Sequence, residues 1–192
     1  MQLLTTQLSV PCNRDINVPM KRVTAYVNSL ISDSVSGFVA MMIREARPED
    51  SEWVLHHRIG MFRAMGESEE FIKKTEALVR DYLSGDWTNN YRYFLIEIEG
   101  RIAGGCGLST LQIPPLADQV TGVYGYVSNM FVEPDLRGKG LGKRLMNHVV
   151  EFCRESGIGL LILHSSRDKT EFYKSLGFTN SRFLMHLIIR EP

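Results

Sequence analysis

Three glycines alternate at positions 138, 140 and 142, directly between a predicted strand and a predicted helix. Glycine allows the backbone to adopt positive φ angles and allows a ligand to approach the main chain closely. The first N–H groups of a helix have no intrahelical partner and carry the positive end of the helix dipole. This arrangement favours an anion, most naturally a pyrophosphate.

Four basic side chains accompany these glycines: Arg137, Lys139, Lys143 and Arg144. They add positive charge at the same end of the helix. The alternative interpretations are a solvated basic helix start or a contact with nucleic acid. The chain has 22 Lys+Arg and 22 Asp+Glu, and the cluster contains no aromatic residue, so we expect no nucleic-acid partner.

Two common phosphate-binding motifs do not fit this segment. A P-loop requires Gly-Lys-Ser/Thr at its end, but here Lys143 follows Gly142 and precedes Arg144. The dinucleotide fingerprint Gly-x-Gly-x-x-Gly requires a third glycine where Lys143 stands. The pattern that fits is Arg-x-x-Gly-x-Gly, from Arg137 to Gly142.

This pattern resembles the acetyl-CoA pyrophosphate loop of the GNAT superfamily of N-acetyltransferases. The similarity covers residues 42–190 in order. Its strand-and-loop part is Val132-x-Pro-x-x-Arg-Gly-x-Gly-x-Gly142, and a later part is Phe172-Tyr173-Lys-Ser-Leu-Gly-Phe178. The segment Ile43–Asp50 is similar to the family's opening strand and helix.

The resemblance implies an α/β fold with a GNAT-type mixed, twisted, splayed β-sheet flanked by helices on both faces. The third and fourth main strands would part and admit the pantetheine of acetyl-CoA, the implied co-substrate. Pantetheine amides would pair with the backbone of residues 130–132 by strand addition. The family often has Asn seven residues before its tyrosine, where this chain has Ser166. The implied cofactor-binding residues are Met130, Phe131, Val132, Arg137, Gly138, Lys139, Gly140, Leu141, Gly142, Lys143 and Ser166.

The resemblance also implies acetyl transfer to a primary amine of a small molecule or peptide, by direct attack in a ternary complex. A backbone N–H near Met130 would stabilise the charge on the thioester oxygen. Tyr173 matches the family's general acid, although alone it would be interpreted as a half-buried aromatic with its hydroxyl in water. For the base we expect a water relay to His164 or to one of three strand residues, Tyr124, Tyr126 and Ser128.

A second hypothesis is a non-catalytic acyl-CoA-binding module that retains the fold. Acceptor choice is expected to depend on the loop at residues 61–70 and on the loop at residues 112–122. Their mixed charges do not distinguish a polyamine, an antibiotic, an amino acid or a protein amine.

The surrounding pattern predicts the elements that position these residues. Apolar periodicity and flanking glycines predict helices from Pro48 to Met65, from Glu69 to Leu83 and from Leu141 to Gly157. Asp168–Glu171 is typical of a capping box that opens a short helix to Leu176. The predicted strands are an opening strand at Met41, then Tyr91–Ile98, Arg101–Leu111, Val123–Val132, a buried Leu160–Leu163 and closing strands within 178–190.

The composition changes near residue 41. We expect residues 1–41 to be an N-terminal extension and residues 42–192 to be the N-acetyltransferase domain. The extension is either a loose arm or a helix that packs on the domain or on a second subunit, and Met41 or Met42 is an alternative start.

Cysteine usage and hydropathy indicate the expected compartment. Cys12, Cys106 and Cys153 are odd in number and lack paired spacing, which argues against disulfides and a zinc site. Cys106 and Cys153 are expected in the core, and His56-His57 has no ligand at i+4 for a metal. No signal peptide or membrane span is predicted. We therefore expect a cytoplasmic monomer or homodimer.

Overall fold

The computed structural model describes residues 40–89, 91–115 and 121–180. The predicted N-terminal extension lies almost wholly outside the described residues, and so do residues 181–190 of the predicted closing strands. The division at residue 41 stays a prediction. None of the described helices is both long enough and apolar enough to cross a bilayer.

The described elements follow the predicted order. The strands are β1 (Met41–Glu45), β2 (Tyr91–Ile98), β3 (Arg101–Gln112), β4 (Val123–Val132) and β5 (Leu160–Leu163); the helices are α1 (Ser51–Met65), α2 (Glu69–Ser84), α3 (Leu141–Glu155) and α4 (Thr170–Lys174). Short 3₁₀ turns at Pro48–Asp50 and Pro134–Leu136 lead towards α1 and α3.

The strands form one mixed sheet in the order β1-β2-β3-β4-β5. The first four strands pair antiparallel, and β5 pairs parallel to β4 after the α3 crossover. Glu99 and Gly100 both have positive φ in the two-residue β2–β3 turn, as the tight hairpin requires.

Alternation along the strands builds a core on each face of the sheet. Tyr93 and Leu95 of β2 pack with Val54 and Leu55 of α1 on one face. Phe94 and Ile96 point to the opposite face, where they join Leu145, Met146 and Val149 of α3. Helices therefore cover both faces, which confirms the predicted α/β architecture. Every residue of β5 is only partly buried, in contrast to the predicted buried strand.

Candidate active site

A gap between β4 and β5 forms the centre of the candidate site. The two strands pair from Tyr124↔Leu160 to Val127↔Leu163, where β5 ends while β4 continues to Val132. Within the described part of the chain, the backbone of residues 128–132 has no strand partner on the β5 side. The sheet is therefore splayed, as predicted, and the strands that part are the fourth and fifth of those described.

A β-bulge lies in β4 where the strands separate. Gly107 pairs with Ser128 and Gly105 with Phe131, so two β4 residues, Asn129 and Met130, lie opposite Cys106. Asn129 has φ +51°, a left-handed conformation that asparagine tolerates better than most residues. A bulge disrupts the hydrogen-bond ladder and increases the local twist, which accounts for the divergence of β4 from β5. Asn129 was not among the residues predicted for the site; its signal in the sequence is an amide residue, which is rare in strands, near the end of a predicted strand.

The glycine-rich loop follows β4 directly. Gly138 and Gly140 both have φ +77°, and a Cβ added at either position would meet no atom within 4 Å. The helix begins at Leu141, and its first turn closes with the Arg144 N–H donating to the Gly140 carbonyl at 3.1 Å. The N–H groups of residues 141–143 are therefore the orphan donors of the helix start. The open space beside Gly138 and Gly140, next to these donors, leaves room for an anion.

The basic residues of the loop divide into two groups. Lys139, Lys143 and Arg144 are exposed, and none has a carboxylate within 4.0 Å among the described residues. Arg137 is engaged with the strand, because its Nε donates to the Val132 carbonyl at 2.9 Å and its guanidinium lies 5.4 Å from the Phe131 ring centre. These two contacts of Arg137 hold the glycine-rich loop next to the end of β4.

Side-chain directions limit how the predicted contacts with acetyl-CoA can form. Leu141 is a buried core residue, so only its backbone N–H is available to a ligand. The Phe131 ring stacks on His57 of α1 at 5.3 Å, away from α3. Met130 points towards α3 and α4: a Cβ at Gly142 would lie 3.3 Å from Met130 Cε and 3.4 Å from Phe172 Cζ. The structure thereby brings β4, the start of α3 and α4 together.

Tyr173 lies on α4, partly buried against the α3-side core. Its carbonyl accepts the N–H groups of Leu176 at 3.0 Å and Phe178 at 3.1 Å, around Gly177 with φ +92°. The Tyr-x-x-x-Gly-Phe pattern is therefore a helix end that packs the Phe178 and Tyr173 rings edge to face. Burial raises the pKa of Tyr173 to about 12, so its hydroxyl keeps its proton at neutral pH.

The predicted capping box at Asp168–Glu171 is wrong. Asp168 lies in a 3₁₀ turn, and α4 begins at Thr170 without a side-chain cap. The Asp168 carboxylate is taken up by its neighbours, since the Ser166 hydroxyl donates to it at 2.6 Å and Lys169 pairs with it at 2.7 Å. The hydroxyl proton of Ser166 is therefore already engaged within the turn.

Of the four candidate bases, two lie together across the β4–β5 gap. The Tyr126 hydroxyl and His164 Nδ1 are 3.0 Å apart, and both residues lie near the end of the parallel pairing. Ser128 instead lies beside Tyr91, and burial raises the pKa of the Tyr91 hydroxyl to about 12. Burial also raises the pKa of the Cys106 thiol to about 12, so Cys106 is no thiolate nucleophile at neutral pH.

The parted parallel strands and the glycine-rich helix start define an α/β protein with a candidate anion-binding site at the open end of its sheet. The chain belongs to the acetyltransferase (GNAT) family, which it matches over residues 59–178. This finding confirms the resemblance on which the predicted fold depends.

Individual relatives agree with this assignment. The chain is 34% identical over 87 residues to a glucosamine 6-phosphate N-acetyltransferase of Trypanosoma brucei brucei, which is 45% of this chain and 57% of that protein. A GCN5-related N-acetyltransferase structure from Ralstonia eutropha JMP134 superposes with TM-score 0.69 at 27% identity, covering 78% of this chain and 99% of that one. A predicted acetyltransferase with acetyl-CoA from Clostridium acetobutylicum has the same fold, with TM-score 0.66, 22% identity and coverage of 78% and 97%.

Proposed function

We propose that the protein transfers an acetyl group from acetyl-CoA to a primary amine. The observation that carries the proposal is the continuity of two features, since the backbone of residues 128–132, which has no strand partner on the β5 side, leads through one 3₁₀ turn into the glycine-rich loop before α3. A ligand with an extended amide arm and a pyrophosphate matches both features, and acetyl-CoA is such a ligand. Names of relatives as N-acetyltransferases support the activity.

The cofactor would be held along its length by different groups. The orphan N–H groups of residues 141–143 and the charges of Lys139 and Lys143 would bind the pyrophosphate. The backbone of residues 130–132 would pair with the pantetheine amides as an added strand. Ser166 and Arg137 are proposed in supporting positions, because each already has a partner within the protein.

The reaction needs three groups. The amine nitrogen attacks the thioester carbonyl carbon, whose oxygen gains negative charge and accepts from the Met130 N–H. The C–S bond then breaks, and the sulfur leaves with the bonding electrons while the Tyr173 hydroxyl donates a hydrogen bond to it. The first proton of the ammonium group passes to the Tyr126–His164 pair, directly or through water, before attack. The second proton leaves the nitrogen as the amide forms and passes to the departing sulfur, so the products are the N-acetyl-amine and the CoA thiol.

Tyr173 is suited to hydrogen bonding more than to complete proton release. Thiols ordinarily ionise near pH ~8.5, whereas burial raises the pKa of Tyr173 to about 12. The hydroxyl therefore holds its proton more tightly than the departing sulfur does. We infer that its contribution is a hydrogen bond that strengthens as charge develops on the sulfur.

A panel of amines tests this function. Each amine is mixed with the protein and acetyl-CoA, free thiol release is followed, and the product mass is measured. We expect thiol release that depends on at least one amine and a product heavier by one acetyl group. Binding of acetyl-CoA without turnover on any amine would favour the non-catalytic acyl-CoA-binding module instead.

A further inference from the structure

A buried chain of hydrogen bonds lies behind the β4 bulge, and the proposed chemistry does not use it. The Tyr93 hydroxyl of β2 donates to the Asn129 carbonyl at 3.2 Å, and His57 Nδ1 of α1 lies 3.0 Å from the same hydroxyl. Tyr93 and His57 are both 0% exposed and Asn129 is 3% exposed. The hydrogen bonds between them fix the relative positions of the three residues, while His57 Nε2 and Asn129 Oδ1 have no hydrogen-bond partner among the described residues.

The Tyr93 hydroxyl takes part in two hydrogen bonds, and the chemistry of its partners indicates which atom donates in each. A carbonyl only accepts, so the Tyr93 hydroxyl is the donor of the bond to Asn129. With that proton in use, the Tyr93 oxygen accepts from an N–H at His57 Nδ1. Burial lowers the pKa of His57 to about 3, so His57 is neutral throughout the neutral range.

A glycine in β3 leaves room for the Tyr93 side chain to extend from β2 to Asn129 in β4. Tyr93 belongs to β2, and its ring must cross β3 to arrive at β4. A Cβ added at Gly105 would lie 2.6 Å from the Tyr93 hydroxyl oxygen and would overlap the ring. The bare backbone at Gly105 therefore provides the passage for the Tyr93 side chain.

A second contact holds the bulge from the helix side. Asn129 Nδ2 donates to the Val54 carbonyl of α1 at 3.3 Å. The backbone of Asn129 is thus fixed through its carbonyl by Tyr93 and through its side chain by α1. A residue with φ +51° keeps that conformation only where its surroundings impose it.

The geometry of one peptide unit connects these anchors to the cleft. The Asn129 carbonyl and the Met130 N–H belong to the same planar trans peptide, so they point in opposite directions. Tyr93 holds the carbonyl from the β2–β3 side. The N–H of Met130 is therefore directed away from β3, towards the side where β5 has parted from β4.

We propose that Tyr93, supported by His57, is a positioning residue that aims the Met130 N–H at the thioester oxygen of acetyl-CoA. This inference rests on the proposed function, because the oxygen belongs to the proposed co-substrate. Tyr93 itself contacts neither substrate.

Tyr93→Phe removes the hydroxyl and keeps the ring, so it tests the proposal. Removal of an oxyanion donor costs ~10²–10³-fold in rate, and a misdirected donor should cost at least ~10-fold. We expect the single-turnover rate of acetyl transfer to fall by ~10-fold or more, with the Kd for acetyl-CoA and the KM for the amine within about twofold of wild type. Amide proton exchange at Met130, followed by NMR in the full chain, should become faster. His57→Phe should cause a smaller loss in the same direction.

Tyr82→Phe is the matched control, since Tyr82 is 52% exposed on α2 and should leave the rate and the Met130 amide unchanged. If Tyr93→Phe does not fold, His57→Phe takes its place in the same comparison. A folded Tyr93→Phe protein with a wild-type rate and wild-type Met130 exchange would overturn this inference alone. Absence of acetyl transfer by the wild-type protein would overturn the proposed function and, with it, the positioning role.

Discussion

Replacing Gly140 with aspartate places a negative charge in the proposed pyrophosphate cradle. Gly140 has φ +77° and an added Cβ meets no atom within 4 Å, so the side chain fits sterically. The left-handed conformation costs a non-glycine residue ~1–2 kcal/mol. That cost is smaller than the ~5–15 kcal/mol stability of an ordinary domain, and we expect the variant to fold.

The loss of affinity follows from the charge. With ~5 Å to each of two phosphate charges and an effective dielectric constant of ~40, each repulsion is ~1.7 kcal/mol. Two such terms give ~3.3 kcal/mol, which is ~200-fold in Kd at ~1.4 kcal/mol per tenfold. Isothermal titration with acetyl-CoA measures this loss directly, and added salt should reduce it because exposed charges are screened.

Two control variants distinguish the effect of the negative charge on acetyl-CoA affinity from the effect of backbone strain. Gly140→Asn has the same shape without the charge, so it should retain most of the affinity. Gly157→Asp introduces the same residue at φ +71°, also in open space, but beyond the opposite end of the 15-residue α3. It should bind acetyl-CoA as wild type does. A folded Gly140→Asp protein with wild-type affinity would refute the location of the cradle.

Three further predictions follow from particular side chains. Tyr173→Phe should lower the single-turnover rate by ~10²-fold, the scale of a lost hydrogen-bond donor to developing charge, with little change in acetyl-CoA affinity; an unchanged rate would leave Tyr173 a structural aromatic. Cys106 and Cys153 are at most 2% exposed, and burial raises the pKa of each thiol to about 12. A Cys12→Ser protein should therefore show no thiol that reacts with a disulfide reagent until denaturant is added, and reaction in the native state would contradict this. Burial lowers the pKa of His57 from 6.5 to about 3, so between pH 3 and pH 6.5 the unfolded state binds more protons than the folded state. The free energy of unfolding contributed by neutral His57 is therefore complete above pH 6.5. It is lost as the pH falls towards 3, by up to ~1.4 kcal/mol per pH unit. Denaturant titrations of wild type and His57→Phe from pH 7 to 4 should differ by that slope, and parallel curves would show that His57 does not titrate as stated.

Local signals in the sequence predicted most of the fold. Gly66 has φ +82° and ends α1 where the glycine pattern placed the end, and the Glu99-Gly100 turn joins β2 to β3 as expected. These features depend on a few neighbouring residues. The helix start near Asp168 was predicted incorrectly because Ser166 and Lys169, which compete for its carboxylate, do so only in the folded turn.

The arrangement of residues around the β4 bulge could not be predicted from the sequence. Asn129 and Met130 oppose Cys106 only because of the register between β3 and β4, and register depends on partners far along the chain. The contact from Tyr93 to Asn129 spans 36 residues and requires the gap left by Gly105 in an intervening strand. The glycine-rich loop, in contrast, is contiguous, so its residue types alone indicated an anion site.

Acetyl transfer itself is tested most directly by a single-turnover experiment. Protein in excess over acetyl-CoA with an isotopically labelled acetyl group is mixed with an amine identified from the panel, and both products are quantified by mass over time. We expect one labelled acetyl-amine for each CoA released, with neither product formed when the amine is omitted. Release of CoA with free acetate in place of acetyl-amine, or bound acetyl-CoA that remains intact in the presence of the amine, would contradict acetyl transfer by this protein.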